Sequence, residues 1–234
     1  AGVPYDEEIV LLYSELDPAL HAAVASDNYG PGKLMSSTVD YRPKYFLVNG
    51  EPYSAASLPI DVGNEGDTVL MRFLNAGLES HSLVLQDMYF SVRAEDGNPG
   101  PYPQQQYSVF LPAGKTRDAL LAVSCTAPPV PGQRALYDRT LNLSNGGSAN
   151  PGGMFTQINL PDTDTDSIVS MCDNCTTVAN ANQRDTNGDG YGNLCDTDLN
   201  NDGITNTLDV GILRSVYLTG NADADFNGDG IVNT

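Results

Sequence analysis

One short acidic pattern recurs near the end of this chain and constrains it more than any other feature. Asp185, Asn187, Asp189, Gly190, Tyr191, Asn193 and Asp196 stand at positions 1, 3, 5, 6, 7, 9 and 12 of a twelve-residue stretch. Asp198, Asn200, Asp202, Gly203, Ile204, Asn206 and Asp209 repeat it at the same positions. Asp225, Asn227, Asp229, Gly230, Ile231 and Asn233 begin a third copy, and the sequence reaches Thr234 before that copy's twelfth position. Side chains from alternate residues converge on one point only if the backbone turns sharply, which a glycine at position 6 permits. Short carboxylates and amides in that spacing suit calcium, which takes about 6–8 oxygens at roughly 2.3–2.6 Å, with a backbone carbonyl from position 7. The plain alternative is a solvated acidic loop rich in Asn, Asp and Gly. Three matches in register argue against it. Two to three Ca2+ sites are therefore expected. Aspartate at the twelfth position, where glutamate is usual, shortens the reach of the last ligand.

The charge balance points the same way. The chain of 234 residues carries a formal net charge of −19. That argues against nucleic acid and anionic membranes as partners. Residues 162–234 hold 13 of the 30 acids and only 2 of the 11 bases, so this tail repels itself unless cations bind and help it fold. No apolar run approaches the ~20 residues of a membrane span. No signal peptide is recognisable, so residue 1 reads as a mature or internal start. Four cysteines, Cys125, Cys172, Cys175 and Cys195, allow three pairings. A zinc site at Cys172 and Cys175 lacks a second Cys-x-x-Cys or nearby histidines. Disulfides and millimolar calcium both indicate a secreted, extracellular or cell-surface location.

The spacing is that of EF-hand-type loops, and two families share these residues. Cys172-Asp173-Asn174-Cys175 followed by Gln183 to Asp196 resembles a thrombospondin type 3 repeat. That resemblance implies a Cys175–Cys195 disulfide, leaving Cys172 for Cys125 in a bridge that would clip two modules together. Asp198 to Asp209, a short helix and then Asp225 onward look like a dockerin-type pair of calcium loops, which implies docking onto a cohesin partner. Here the second dockerin loop lacks its last ligand and its helix.

The first two thirds read as β structure. Ile9 to Tyr13, within Glu8 to Leu16, is an apolar run of buried-strand type. Asp17-Pro18 begins a turn, Ala19 to Val24 forms a helical turn, and a long polar loop runs through Asp40. Tyr45 to Val48 is a strand ended by Asn49-Gly50. Thr68 to Asn75, Ser82 to Leu85, Phe90 to Ala94, Tyr107 to Leu111, Ala119 to Val123, Arg134 to Tyr137, Thr140 to Leu143 and Phe155 to Leu160 follow. Turns lie at Glu95 to Gly100, Pro112 to Gly114, Pro128-Pro129 and Asn145 to Gly147. Many short strands so punctuated indicate a two-sheet sandwich or barrel. Beyond them, Pro161 to Ser170 reads as a polar linker; alternatively its Asp162, Asp164 and Asp166 fold back onto the first calcium loop. Leu208, Ile212, Leu213 and Val216 make one face of a short helix, with Gly220 as its stop.

Tyr45 to Gly50, Gly66 to Gly77, His81, Ala94 to Gly97 and Leu111 to Asp118 resemble a cupredoxin domain of a multicopper oxidase. The likeness extends to Glu15 to His21 and Gly152 to Phe155. It implies a cupredoxin-like Greek-key β-sandwich over 1–161; with a linker over 162–171 and the small calcium-loop module with a short helix over 172–234, the chain is expected to be mainly β. It does not imply copper. A type 1 site needs two histidines and a cysteine, and a trinuclear cluster needs His-x-His pairs. This chain has two histidines, His21 and His81. Both read as structural, and no copper is expected. Glu7-Glu8 and Glu95-Asp96 read as acidic turns rather than acid–base pairs. Ser80 and Ser82 beside His81 have no nucleophile motif around them.

These readings predict an extracellular structural protein in which calcium drives contacts with other copies of the chain or with another extracellular protein. A carboxylate from a neighbouring chain, conceivably from Asp6 to Glu8, would complete the third loop, and head-to-tail contacts of that kind build filaments. The rival readings are the copper-free portion of a larger secreted multicopper oxidase and a dockerin-type docking subunit.

Overall fold

The computed structural model describes residues 4–63, 67–122, 125, 129–146 and 152–233. Gly66, Val123, Pro128, Gly147 and Thr234 lie outside the described residues. The chain divides into two compact units. The first takes 1–63, 67–123 and 132–160, and the second takes 64–66, 124–131 and 161–234. The stretch 162–171, expected as a linker, falls inside the second unit.

The first unit is two β-sheets. One runs in the order β2 (Tyr45–Val48), β1 (Glu7–Leu16), β4 (Val69–Asn75), β9 (Thr116–Ala122), β6 (Tyr89–Glu95), β7 (Asn98–Gln106). The other runs β3 (Ile60–Asp61), β11 (Phe155–Leu160), β10 (Gly132–Asp138), β5 (His81–Leu85), β8 (Ser108–Leu111). Alternation along β1 sends Ile9, Leu11 and Tyr13 inward and Val10 and Leu12 outward. Leu11, Met71, Phe73 and Phe90 from the first sheet, and Leu83, Leu111, Leu136 and Ile158 from the second, are fully buried. Each such side chain stabilises the fold by roughly 1.5–3 kcal/mol. Phe73 and Phe90 meet edge to face at 5.4 Å.

Asp17 starts α1 (Pro18–Ala25): its Oδ1 accepts the Ala19 N–H at 2.8 Å, and Pro18 fills the first helical position. Three elements differ from the sequence reading. The Glu95 to Gly100 turn is confined to Asp96 and Gly97, whose φ of 48° and 74° make a tight hairpin into β7. Pro99, Pro101 and Pro103 hide that strand from pattern reading. Their alternate spacing turns every missing N–H to the same side, which an edge strand tolerates. Thr140 to Leu143 is not a strand. Thr140 and Asn142 donate to the Asp138 carboxylate, and Leu141 takes a φ of 61°, so the chain curls after β10. Short β3 carries too little pattern to be seen.

The second unit has little apolar interior; Val169, Ala224 and Val232 are among its few buried aliphatic residues. Disulfides Cys125–Cys172 and Cys175–Cys195 staple it, as small cores require. Both cysteines of the first bridge fall in this unit. The helix α2 (Thr207–Ser215) ends at Val216 rather than Gly220. Past it the chain turns to pair Leu218 and Thr219 with Val232. Leu208 stays 61% exposed, so the expected apolar face is only partly covered.

Candidate metal centre

In each of the three loops the first aspartate is a hub. Asp185 accepts the N–H groups of Gly188 (2.7 Å) and Gly190 (3.1 Å). Asp225 accepts those of Gly228 and Gly230, both at 2.9 Å. Asp198 accepts those of Asp202 (3.3 Å) and Gly203 (2.7 Å). The third position then accepts from the fifth, and the fifth from the seventh. Asn187, Asn200 and Asn227 bind the N–H of Asp189, Asp202 and Asp229 at 3.0–3.2 Å. Asp189, Asp202 and Asp229 bind the N–H of Tyr191, Ile204 and Ile231 at 2.8–3.0 Å. The side chains of Tyr191, Ile204 and Ile231 point to solvent; at position 7 only the main chain is needed. Gly190, Gly203 and Gly230 have φ of 99°, 83° and 91°, which is the left-handed turn the spacing demanded.

In the first loop the Asn187 amide lies 3.1 Å from Asp189 Oδ2 and 3.5 Å from Asp196 Oδ2, so positions 3, 5 and 12 converge. Burial raises the Asp196 carboxyl, the Asp198 N–H opposes this, and the charges of Asp189, Asp223 and Asp198 add to the rise. A crowded, partly buried carboxylate set of this kind suits a hard divalent ion. Asp209 is held instead below the usual carboxylate range, first by the Asn206 N–H and, against burial, by that of Asn200. It closes the second loop and caps α2 in one residue.

The position-nine residues of the first two loops are placed differently from the rest. Asn193 is buried; its Oδ1 accepts the Thr186 N–H at 2.8 Å, and its Nδ2 donates to Ala222 O and Asp223 O. Asn206 accepts the Leu208 N–H at 2.8 Å as the N-cap of α2. Both brace the backbone around the loops.

In the sandwich, His81 is fully buried with Nδ1 3.1 Å from Asp138 Oδ2 and Nε2 3.4 Å from Glu15 Oε2. Burial pushes His81 down, but the hydrogen bonds to Asp138 and Glu15 outweigh it and raise the imidazole to about 9. Both ring nitrogens are therefore donors to carboxylates. His21 lies exposed on α1. His81 thus spends both ring nitrogens on carboxylates, and His21 stands apart from it on the surface. The acidic pairs are likewise engaged: Glu8 with Arg72 at 2.7 Å, Glu95 with Arg117 at 3.0 Å, and Asp96 with Lys115. Sequence reasoning missed Glu15 and Asp138, which stand 66 and 57 residues from His81 with no local pattern to join them.

Comparison with known proteins follows this division. Residues 184–211 match the thrombospondin type 3 repeat. No curated protein sequence matches the chain. The fold is similar to that of a blue copper oxidase from Nitrosomonas europaea, at 21% identity and a TM-score of 0.51. It is similar as well to the multicopper oxidase mgLAC, at 22% identity and a TM-score of 0.52. Each likeness covers 66% of this chain and 44% of the other protein, so this chain spans less than half the length of either. The chain thus combines a cupredoxin-like β-sandwich with a thrombospondin type 3 repeat.

Proposed function

We propose that this chain is an extracellular structural module. A copper-free cupredoxin-like sandwich carries a calcium-stiffened tail, and that tail contacts further copies of the chain or another extracellular protein. The observation that carries the reading is the shared hydrogen-bond ladder of the loops beginning at Asp185, Asp198 and Asp225. It gathers carboxylate and amide oxygens into turns of calcium-loop spacing, in a unit with little apolar core. Two disulfides and the matched repeat support an extracellular setting. Among the described residues no helix is long and apolar enough to cross a membrane. Metal analysis of the purified protein, with size-exclusion light scattering and negative-stain imaging before and after chelation, tests the reading. Bound calcium, no stoichiometric copper, and assemblies or filaments that dissociate on chelation are expected. Particles indifferent to chelation would sink the assembly role.

A second reading has its own support. The oxidases of similar fold are more than twice as long as the matched region, so the chain could serve as the copper-free portion of a larger oxidase. Copper and phenol-oxidising activity in the intact protein would establish that role in place of the first.

A further inference from the structure

The ladder of β6 breaks register at Arg93 on both sides. Toward β9, Val92 stands opposite Ala119 and Ala94 opposite Asp118, which are successive residues. Toward β7, Val92 stands opposite Gln104 and Ala94 opposite Pro99, so Gly100 to Pro103 are left out of register beside Arg93. Arg93 is thus the extra residue of a β-bulge, and a bulge re-aims the side chain it inserts. Next to it lies a groove of about 360 Å3, lined among others by Arg93, Arg117, Tyr102, Gln104 and Gln106.

The charges of this groove do not cancel. Arg117 Nη2 lies 3.0 Å from Glu95 Oε2, and Lys115 pairs with Asp96. Among the described residues Arg93 forms no ion pair. In a chain of net charge −19 the groove therefore keeps a cation to spare. The Nε atoms of Arg93 and Arg117 are both buried with no hydrogen-bond partner. A buried donor without an acceptor is costly, and the planar guanidinium fork matches the geometry of a carboxylate. The rest of the lining suits a ring bearing hydroxyls. Tyr102 is 78% exposed and offers an apolar ring face. Gln106 Nε2 donates to Gln104 Oε1 at 3.0 Å, which holds the two amides together and leaves Gln104 Nε2 and Gln106 Oε1 for a ligand.

We propose that this groove binds a carboxylate-bearing sugar, the uronic acid unit of an acidic polysaccharide. Arg93 and Arg117 take the carboxylate, Tyr102 takes the apolar face of the pyranose, and the two glutamines take its hydroxyls. A peptide carboxylate would engage the arginines and leave the tyrosine ring and the amides idle. All of these residues belong to the sandwich unit, and none is a calcium-loop residue.

Isothermal titration of the full chain with trigalacturonate, at one fixed Ca2+ concentration, tests the proposal. Saturable binding is expected, and Arg93→Gln should weaken it by about tenfold or more, as loss of a charge-assisted hydrogen bond does. Tyr102→Ala should weaken it as well. Tyr102 stands exposed on an edge strand, so that variant decides the matter should Arg93→Gln not fold. The same saccharide with its carboxylates methyl-esterified should not bind. No saturable binding of trigalacturonate, or undiminished binding by both variants, overturns the proposal. An oligoglutamate of equal charge is the rival probe. If it binds as tightly as the saccharide and loses nothing in Tyr102→Ala, the groove is a site for acidic peptide and the sugar assignment falls.

Discussion

His81 Nδ1 lies 3.1 Å from Asp138 Oδ2 in the interior of the sandwich, and the same ring reaches Glu15 on the opposite sheet. Asp138 itself sits at about 2: burial pushes it up, and the hydrogen bonds from His81, Thr140 and the Ser82 N–H more than reverse this. Glu15 is also lowered; burial opposes it, and His81 and the N–H groups of Glu79 and Leu78 prevail. One imidazolium thus joins the two sheets through two carboxylates.

The pH dependence follows from these directions. His81 is raised from 6.5 to about 9, so its stabilisation is complete below the unfolded value and is lost as pH climbs through about 9. Asp138 is lowered from 3.8 to about 2, so its share is complete above the unfolded value and is lost as pH falls through about 2. Stability of the sandwich should peak between those unfolded values and decline from pH ~6.5 to ~9.5. Urea unfolding at saturating Ca2+ measures this, and a level profile across the alkaline limb would contradict it.

His81→Leu leaves two buried carboxylates without their cation. It should cost roughly 3–5 kcal/mol, the usual range for removing one partner of a buried pair. The alkaline decline should vanish with it. A loss under 1 kcal/mol in denaturant titration would show the triad to be dispensable.

Gly77 is required for a different reason from the turn glycines. A Cβ there would collide with the Glu15 carboxylate. Gly77→Ala should displace Glu15 from His81, lower the His81 pKa in an NMR titration, and cost about 1–3 kcal/mol as an overpacking change.

Chelation should open the second unit at Arg184. Its guanidinium donates to Ala222 O at 3.1 Å and Phe226 O at 3.2 Å, and to Asp225 O. These acceptors belong to the third loop and its approach. Trypsin should cut after Arg184 slowly in Ca2+ and at least tenfold faster in EGTA, with the sandwich left intact. Equal rates would mean that the tail holds its fold without the ion.

Asp209→Asn weakens a residue with two duties. The second loop should lose calcium affinity in a titration, and α2 should lose about 1 kcal/mol of capping. Circular dichroism and calorimetry on the same sample separate the two effects.

Amino-acid order alone determined what is periodic or local here. Alternating apolar residues placed most strands, because side chains a strand sends inward recur at every second position. The Asp-x-Asn-x-Asp-Gly spacing determined the loops, because their hydrogen-bonding residues lie within twelve positions and need only one left-handed turn. Tertiary structure decided what depends on distant partners or an unmarked environment. It set the His81 triad across two sheets. It turned Asn193 and Asn206 to the backbone and made a proline-rich edge out of β7. It drew Asp162 to Ser167 into a turn like that of the glycine loops, although Thr165 and Ser167 hide it: their conformation is held by carboxylate hydrogen bonds and not by residue type. Burial and long-range pairing are properties of the packed chain, and no short window of sequence carries them.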